Sequence, residues 1–315
     1  MRNGAAIVER PDARLLVRGA DRRGYLQGLL TNDIAALTPG TGCYAALLTA
    51  QGRMIADMRV LELGDAILLD VPRVLGPSIR DHLEQFVFSE DVQVEDVTRA
   101  RAEVGLYGPR AREVLAAAGL ETAATAALHT VTRARLAGHD ALIVRADTIG
   151  VSGFDVIVDE ADAAAVRAVL AAAGAVEAHD DDVEAVRIES GRPRFGADMD
   201  TDTIPLEAGI EDRAISRSKG CYVGQEVIVR VQDRGHGRVA RRLVGLTFDA
   251  SAGVPERNAT IHAGDRELGR VTSAAWSPTL ARPVALGYVH RDFVEPGTAV
   301  QVNGAGGTVS ALPLS

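Results

Sequence analysis

Two cysteines occur in the 315 residues of this chain, and one of them lies among charged side chains. The stretch 219–230 reads KGCYVGQEVIVR, which places Cys221 two residues after Lys219 and five before Glu226. A thiol acts as a nucleophile in its thiolate form, and a nearby positive charge lowers its pKa. Lys219 therefore predicts an activated Cys221. Burial as a structural cysteine is the alternative that spacing alone leaves open.

A group of arginines follows this stretch. Within thirteen residues the chain carries five arginines and a single acid, Asp233, although the formal net charge of the protein is −9. Guanidinium groups pair with carboxylates or phosphates in a forked geometry, so the segment predicts a loop that binds an anion. A solvated surface is the alternative. The five residues are Arg230, Arg234, Arg238, Arg241 and Arg242.

Three further residues have the chemistry to bind a small polar ligand. Asp57 lies in the strand-like run RMIADMRV, whose alternation places it opposite the two methionines and on the same face as Arg59. The simplest expectation is an Asp57–Arg59 ion pair. Tyr44 lies on the partner strand of the same predicted hairpin, where we expect it to face the same cavity. Glu189 ends a predicted helix, an unfavourable place for an acid unless it has a partner or a function.

The composition is that of an ordinary globular protein, with 47% hydrophobic and 24% charged residues. The net charge argues against a nonspecific nucleic-acid coat, and no apolar run reaches the ~20 residues of a membrane helix. Cys43 and Cys221 form neither a CxxC pair nor a Cys/His cluster, so we expect no metal site. We therefore expect a soluble, cytoplasmic protein without a membrane or a direct nucleic-acid partner.

The elements that must position these side chains alternate between strands and helices up to about residue 238. This pattern, with its antiparallel hairpins, favours an α+β fold over a doubly wound sheet. Beyond that point, short strands separated by Gly, Pro and Asp predict a small all-β module. The clearest predicted strands are 13–18, 42–49, 53–61, 66–71, 103–107 and 154–158, and the clearest predicted helices are 21–30, 72–86, 108–118 and 160–173.

The stretch KGCYVGQE closely resembles the signature of the YgfZ folate-binding proteins and their mitochondrial iron–sulfur-assembly relatives. These proteins belong to the wider family of the glycine-cleavage T-protein, an aminomethyltransferase. Four further blocks resemble that family in the same order along nearly the whole chain. They are LQGLLTNDIAALTPGTGCYAALLTAQGRMIADM, GLYGPRAREVL, RIESGRPRFGADMDTDTIPLEAG and VTSAAWSPTLARPVALGYV.

The resemblance implies a T-protein-like α+β architecture in three parts, with a ferredoxin-like subdomain and a C-terminal β-barrel. We expect a folate-binding region over residues 1–238, formed by two interleaved α/β subdomains, and the barrel over 239–315. The implied cofactor is tetrahydrofolate, or a one-carbon derivative of it, bound in a central hole.

The resemblance also implies roles for individual residues. Glu189 matches the acid that meets the pterin ring. Tyr44 and Asp57 match the tyrosine and aspartate that line the folate site of the T-protein, where the aspartate lies near the nitrogen that carries the one-carbon unit. Arg230 and Arg234 are the candidates for binding the glutamyl tail.

The chain departs from the T-protein pattern at its cysteine, since T-proteins do not usually carry one in this block. The leading hypothesis is a tetrahydrofolate-binding protein that supports assembly or repair of iron–sulfur clusters in client enzymes, including radical enzymes that modify tRNA. Cys221 and Lys219 would be the reactive pair, and the partners would be iron–sulfur client or assembly proteins. The alternative is a folate-dependent aminomethyl- or methyltransferase in which Asp57 assists the proton and charge changes of transfer. A third interpretation is a folate-binding scaffold with a structural cysteine.

Overall fold

The computed structural model of the protein describes residues 3–234 and 237–314, apart from the side chain of Arg234. The strands are β1 (Ala6–Glu9), β2 (Ala13–Arg18), β3 (Thr41–Leu48), β4 (Met54–Glu62), β5 (Ile67–Val71), β6 (Gln93–Asp96), β7 (Arg101–Tyr107), β8 (Val131–Leu136), β9 (His139–Ala146), β10 (Gly153–Asp159), β11 (Val176–Glu177), β12 (Arg241–Phe248), β13 (Thr260–Ala263), β14 (Arg266–Ser277), β15 (Arg282–His290), β16 (Ala299–Val302) and β17 (Ala305–Ser310). The α-helices are α1 (Arg22–Leu29), α2 (Gly76–Gln85), α3 (Ala111–Ala117), α4 (Glu121–Ala124), α5 (Ala163–Ala172), α6 (Asp180–Glu189), α7 (Pro205–Ala208), α8 (Glu211–Ala214) and α9 (Gln225–Val229).

The first sheet holds the hairpin that carries Tyr44 and Asp57, in the strand order β3–β4–β5–β2–β6. Its inner face packs against α1 and α2, through apolar side chains such as Leu26 and Leu83. The alternation expected for RMIADMRV is confirmed for Met58, which lies in this core, and for Asp57, which lies on the other face. It is wrong for Met54, which packs with Leu48 in another cluster beside the register shift of the hairpin. The hairpin pairs Tyr44 with Arg59 and Ala46 with Asp57, so that Tyr44 and Asp57 are diagonal neighbours within reach of one another.

The second sheet has the order β11–β1–β7–β10–β9–β8. The succession β7, α3, β9, β10, α5 and β11 follows the ferredoxin-like β-α-β-β-α-β pattern, with β8 added at the edge beside β9 and β1 inserted between β7 and β11. The sequence pattern does not predict β1. Its four residues, AIVE, are buried on both faces for most of their length, so they show no alternation.

The third sheet is a closed barrel of six strands, β12–β15–β14–β13–β16–β17. The expected α+β architecture with a C-terminal β-barrel is therefore confirmed. The barrel is joined to α6 by Arg187, which donates to Asp198 at 2.6 Å and to Ser273 of β14 at 2.7 Å. Among the described residues, no helix is long and apolar enough to cross a bilayer.

Candidate functional site

A cavity of about 720 Å³ is lined by the first and second sheets, by α6 and by the segment that follows it. Its volume lies in the range of pockets that hold a cofactor-sized ligand. The wall formed by the first sheet includes Tyr44 and Asp57, and the second sheet contributes Val8 and Glu9 from β1. The strand that the sequence pattern missed is therefore part of the cavity.

Tyr44 and Asp57 both line this cavity, as their places on one hairpin predicted, and they form a hydrogen-bonded pair in its wall. The Tyr44 hydroxyl donates to Asp57 Oδ2 at 2.7 Å. Burial raises the pKa of Tyr44 well above its usual value, so the hydroxyl stays protonated. Asp57 Oδ1 is buried and has no hydrogen-bond partner among the described residues. A buried acceptor without a donor is costly, so a proton or a ligand N–H would be stabilised at this oxygen.

The environment of Asp57 disfavours its charged form. Burial is the main cause and raises the pKa of Asp57 above its usual value of 3.8, while the hydrogen bond from Tyr44 and the charge of Arg213 oppose the rise. The result is a carboxyl group in a cavity wall that holds its proton more tightly than a solvated aspartate. Such a group suits proton transfer to or from a bound ligand.

Arg213, at the end of α8, is a cavity residue that the sequence reasoning missed. Its guanidinium carbon lies 4.9 Å from the centre of the Tyr44 ring, a cation–π arrangement. No carboxylate in the described part of the chain lies within 4.0 Å of it. Asn32 holds the two residues together, because its side-chain amide donates to the Tyr44 carbonyl at 2.8 Å and to the Arg213 carbonyl at 3.1 Å. The spacing of the sequence contains no signal for this pairing.

The expected Asp57–Arg59 ion pair does not form. Arg59 instead donates to Asp70 at 2.6 Å, to Glu103 at 2.8 Å and to Asp155. Glu103 and Asp155 belong to the second sheet, so the guanidinium turns across the interface between the sheets, where all these groups are buried. Arg59, which itself lines the cavity, thereby ties the two sheets together and leaves Asp57 to Tyr44.

Lys219 is buried in a cage of carbonyl groups. Its ammonium donates to Gln27 at 2.7 Å, to Leu30 at 2.5 Å and to Asn32 at 2.9 Å. These three bonds use all its donors, and burial lowers its pKa to about 8. Lys219 is therefore anchored to the end of α1, and its role as the positive charge that activates Cys221 stays a prediction.

Cys221 lies exposed on the loop that Lys219 anchors, so burial as a structural cysteine is excluded. Both cysteines are free. The loop packs against the β3–β4 turn through Gly224, whose φ is +85° and where a Cβ would lie 2.5 Å from the Thr49 carbonyl oxygen. Only glycine permits that approach. Among the described residues that line the cavity, none comes from 219–230.

Glu189 and Arg230 lie outside the described cavity lining. Glu189 is buried at the end of α6, where its Oε1 accepts a hydrogen bond from Ser277 at 2.5 Å. Arg230 is exposed, and the side chain of Arg234 lies outside the described residues. Two other members of the arginine group are paired, Arg241 with Glu207 of α7 at 3.2 Å and Arg242 with Glu211 of α8 at 2.8 Å. Acids distant in sequence thus neutralise part of the predicted basic segment.

No group of three or more His, Cys, Asp or Glu side chains in the described ranges is arranged to hold a metal ion. Comparison with known proteins assigns most of the chain to two family domains. Residues 1–219 match the GCVT N-terminal domain, and residues 241–315 match the glycine cleavage T-protein C-terminal barrel domain. The chain belongs to the glycine cleavage T-protein family.

Individual relatives agree with this assignment. The chain is 30% identical to a Saccharopolyspora erythraea protein named aminomethyltransferase, over 95% of this chain and 81% of the relative. It is 29% identical to a Rubrobacter xylanophilus protein of the same name, over 86% and 72%. The fold matches the solved glycine cleavage system aminomethyltransferase T of Bartonella henselae with a TM-score of 0.89, at 24% identity over 99% of this chain and 86% of that one. The wider family resemblance is confirmed, whereas the YgfZ-specific assignment stays a prediction.

Proposed function

We propose that the protein binds tetrahydrofolate in the cavity and acts in folate-dependent one-carbon transfer of the aminomethyltransferase type. The observation that carries the proposal is Asp57, a carboxyl group in the cavity wall with one oxygen held by Tyr44 and the other unpartnered. In this proposal residues 1–238 form the folate-binding region and residues 239–315 the barrel. Family membership and the names of the relatives support this function better than the iron–sulfur role.

The chemistry of the cavity fits this cofactor. A pterin ring presents neighbouring N–H donors, for which a carboxylate is the natural acceptor. Asp57 lines the cavity, whereas Glu189 lies outside the lining and already accepts from Ser277. Asp57 is therefore the better supported of the two acids as a ligand contact. Glu189, Arg230 and Arg234 remain predicted folate contacts.

Tetrahydrofolate, when bound, supplies the nitrogen that accepts the one-carbon unit. The chain supplies proton handling and orientation. The Tyr44 hydroxyl fixes Asp57 Oδ2, so that Oδ1 is the atom at which a proton is held or released. Because burial raises the pKa of Asp57, its protonated form persists to higher pH than that of a solvated aspartate. The nearby Arg213 charge stabilises the carboxylate once the proton has left.

The test is turnover with an aminomethylated lipoyl carrier protein and tetrahydrofolate under anaerobic conditions. Wild-type protein should release ammonia and the free carrier thiol in equal amounts, and Asp57→Asn should not. Absence of turnover at high enzyme concentration, with tetrahydrofolate binding intact, would remove the transferase function and leave the binding function.

One observation favours a second candidate, the YgfZ-type role in iron–sulfur cluster maintenance. Cys221 is exposed on an anchored loop, where a partner protein can reach its thiol. A single thiol cannot hold a cluster alone, so this role requires an iron–sulfur client or assembly protein. The test is complementation of a deletion strain, with the activity of a radical iron–sulfur enzyme as the readout. Restoration by Cys221→Ala to the wild-type level would exclude a role for the thiol.

A further inference from the structure

His129 stands in the loop between α4 and β8 with an unusual backbone conformation. Its φ is +62°, in the left-handed region that non-glycine residues seldom adopt. The loop is held on both sides, since the His129 N–H donates to the Arg145 carbonyl at 2.8 Å and the Val131 N–H donates to the Gly40 carbonyl at 2.8 Å. The fold therefore maintains a strained residue at a fixed position between the two sheets. Strain of this kind is concentrated at functional sites.

The side chain of His129 lines the same cavity as Tyr44 and Asp57. Within the described part of the protein, its imidazole makes no hydrogen bond, and Nδ1 is buried without a partner. A ring with one donor and one acceptor is thus left unsatisfied in a cavity wall. Nothing in the surrounding protein explains why a histidine, rather than glycine or asparagine, occupies a left-handed position here.

Burial and the charges around His129 set its protonation state. Burial is the largest cause that lowers the pKa of His129, to about 4; the positive charges of Arg59, Arg192 and Arg213 add to the decrease, and Asp147 opposes it. The imidazole is neutral at physiological pH. It therefore offers hydrogen bonds without charge, whereas the guanidinium groups beside it suit the anionic parts of a ligand.

We propose that His129 is a specificity-determining residue of the cavity, which hydrogen-bonds a neutral polar group of the bound ligand. This inference rests on the proposed function, since tetrahydrofolate is the ligand tested. The neutral polar groups that the proposal assigns to His129 are those of the pterin ring, as opposed to the anionic glutamyl tail. The side chain, and not the backbone conformation, carries the role.

The experiment is anaerobic calorimetric titration of tetrahydrofolate into wild-type protein and His129→Gly. Glycine adopts the left-handed conformation without strain, so this variant removes the imidazole while preserving the loop. Loss of one hydrogen bond to the ligand predicts a dissociation constant raised about ten-fold. Asn258→Gly is the matched control, because Asn258 also has a left-handed φ, +67°, but lies in the barrel away from the cavity lining. It should bind like the wild type.

A second ligand distinguishes the neutral group from the tail. Tetrahydropteroate lacks the glutamate, and the about ten-fold loss in His129→Gly should persist with it. A loss seen only with tetrahydrofolate would assign His129 to the tail and overturn the inference. Equal affinity of wild type and His129→Gly, with both folded by thermal melting, would also overturn it while leaving the proposed function intact. Failure of the wild type to bind tetrahydrofolate would overturn both.

Discussion

The cavity wall formed by Tyr44, Asp57 and Arg213 differs from the Cys221 loop, residues 219–226, in how its polar groups are satisfied. In the loop, the Lys219 ammonium donates three hydrogen bonds to carbonyl groups, and Gly224 allows close packing on the β3–β4 turn. In the wall, Asp57 retains an unpartnered buried oxygen. The loop is therefore an anchored structural element with an exposed thiol, whereas the wall has a polar group that a ligand would satisfy.

The comparison teaches that a conspicuous motif need not mark the ligand site. KGCYVGQE attracts attention because it joins a rare thiol to charged residues, yet the described cavity lining contains none of its residues. Its lysine instead supports the wall indirectly. Lys219 binds the Asn32 carbonyl, and the Asn32 side chain in turn holds the carbonyls of Tyr44 and Arg213.

The largest effect is expected for Asp57→Asn, which removes the ionisable group of the wall at constant size. Turnover should fall by about 10³-fold, within the range of general acid–base contributions, and the melting temperature should stay close to that of the wild type. In the wild type the rate should fall as the pH drops through the pKa of Asp57, which lies above the usual value of 3.8. This acid limb of the pH–rate profile should be absent in the variant. Asp81→Asn is the control, because Asp81 is exposed. Turnover of Asp57→Asn equal to that of the wild type would contradict the assignment of the functional site to the cavity wall.

Lys219→Met should have the next largest effect, and it should act on stability. The change leaves one buried and two partly buried carbonyl groups without their donor and predicts a loss of about 3 kcal/mol in the free energy of unfolding. Denaturant titration measures it. Lys219→Arg, which keeps the charge in a larger fork, should lose less. A Lys219→Met variant as stable as the wild type, but without thiol reactivity, would support the role of Lys219 in activating Cys221.

Tyr44→Phe should produce a smaller change, confined to the wall. It removes the hydrogen bond to Asp57 Oδ2, worth about 1 kcal/mol, and predicts roughly five-fold weaker turnover. Tyr25→Phe serves as a control for the loss of a tyrosine hydroxyl, since Tyr25 binds the Leu83 carbonyl on the opposite side of the first sheet. Similar kinetic losses in both variants would show that the Tyr44 effect is not specific to the site.

Cys221→Ala should have the smallest effect on stability, within about 0.5 kcal/mol, because its side chain is exposed. The thiol itself should react with a mild alkylating reagent in the native protein. Cys43 should not, because burial raises its pKa to about 12. Mass spectrometry should therefore find one labelled cysteine in the wild type and none in native Cys221→Ala. Labelling of Cys43 in the native state would contradict this assignment.

Local patterns predicted much of the fold. Alternation identified the β3–β4 hairpin and the outward face of Asp57, and the closeness of Tyr44 to Asp57 followed from that hairpin. The barrel was predicted from short strands separated by turn residues. These features depend on residues near one another in the chain, so a single sequence contains them.

Long-range contacts set the rest of the site. Arg213 lies beside Tyr44 where the Asn32 side chain donates to the backbone carbonyls of both residues. Arg59 pairs with acids that include Glu103 of the second sheet instead of with Asp57. His129 carried only the weak signal of a single histidine in an alanine-rich loop. None of these contacts has a fixed sequence spacing, so the pattern of the chain could not predict them.

The most direct test of the central claim is anaerobic calorimetric titration of tetrahydrofolate into wild type, Asp57→Asn and Cys221→Ala. The account predicts one binding site in the wild type, a dissociation constant raised between about 10- and 100-fold in Asp57→Asn, and no change in Cys221→Ala. Absence of binding by the wild type, or binding that weakens in Cys221→Ala and not in Asp57→Asn, would contradict the assignment of the ligand site to the cavity wall.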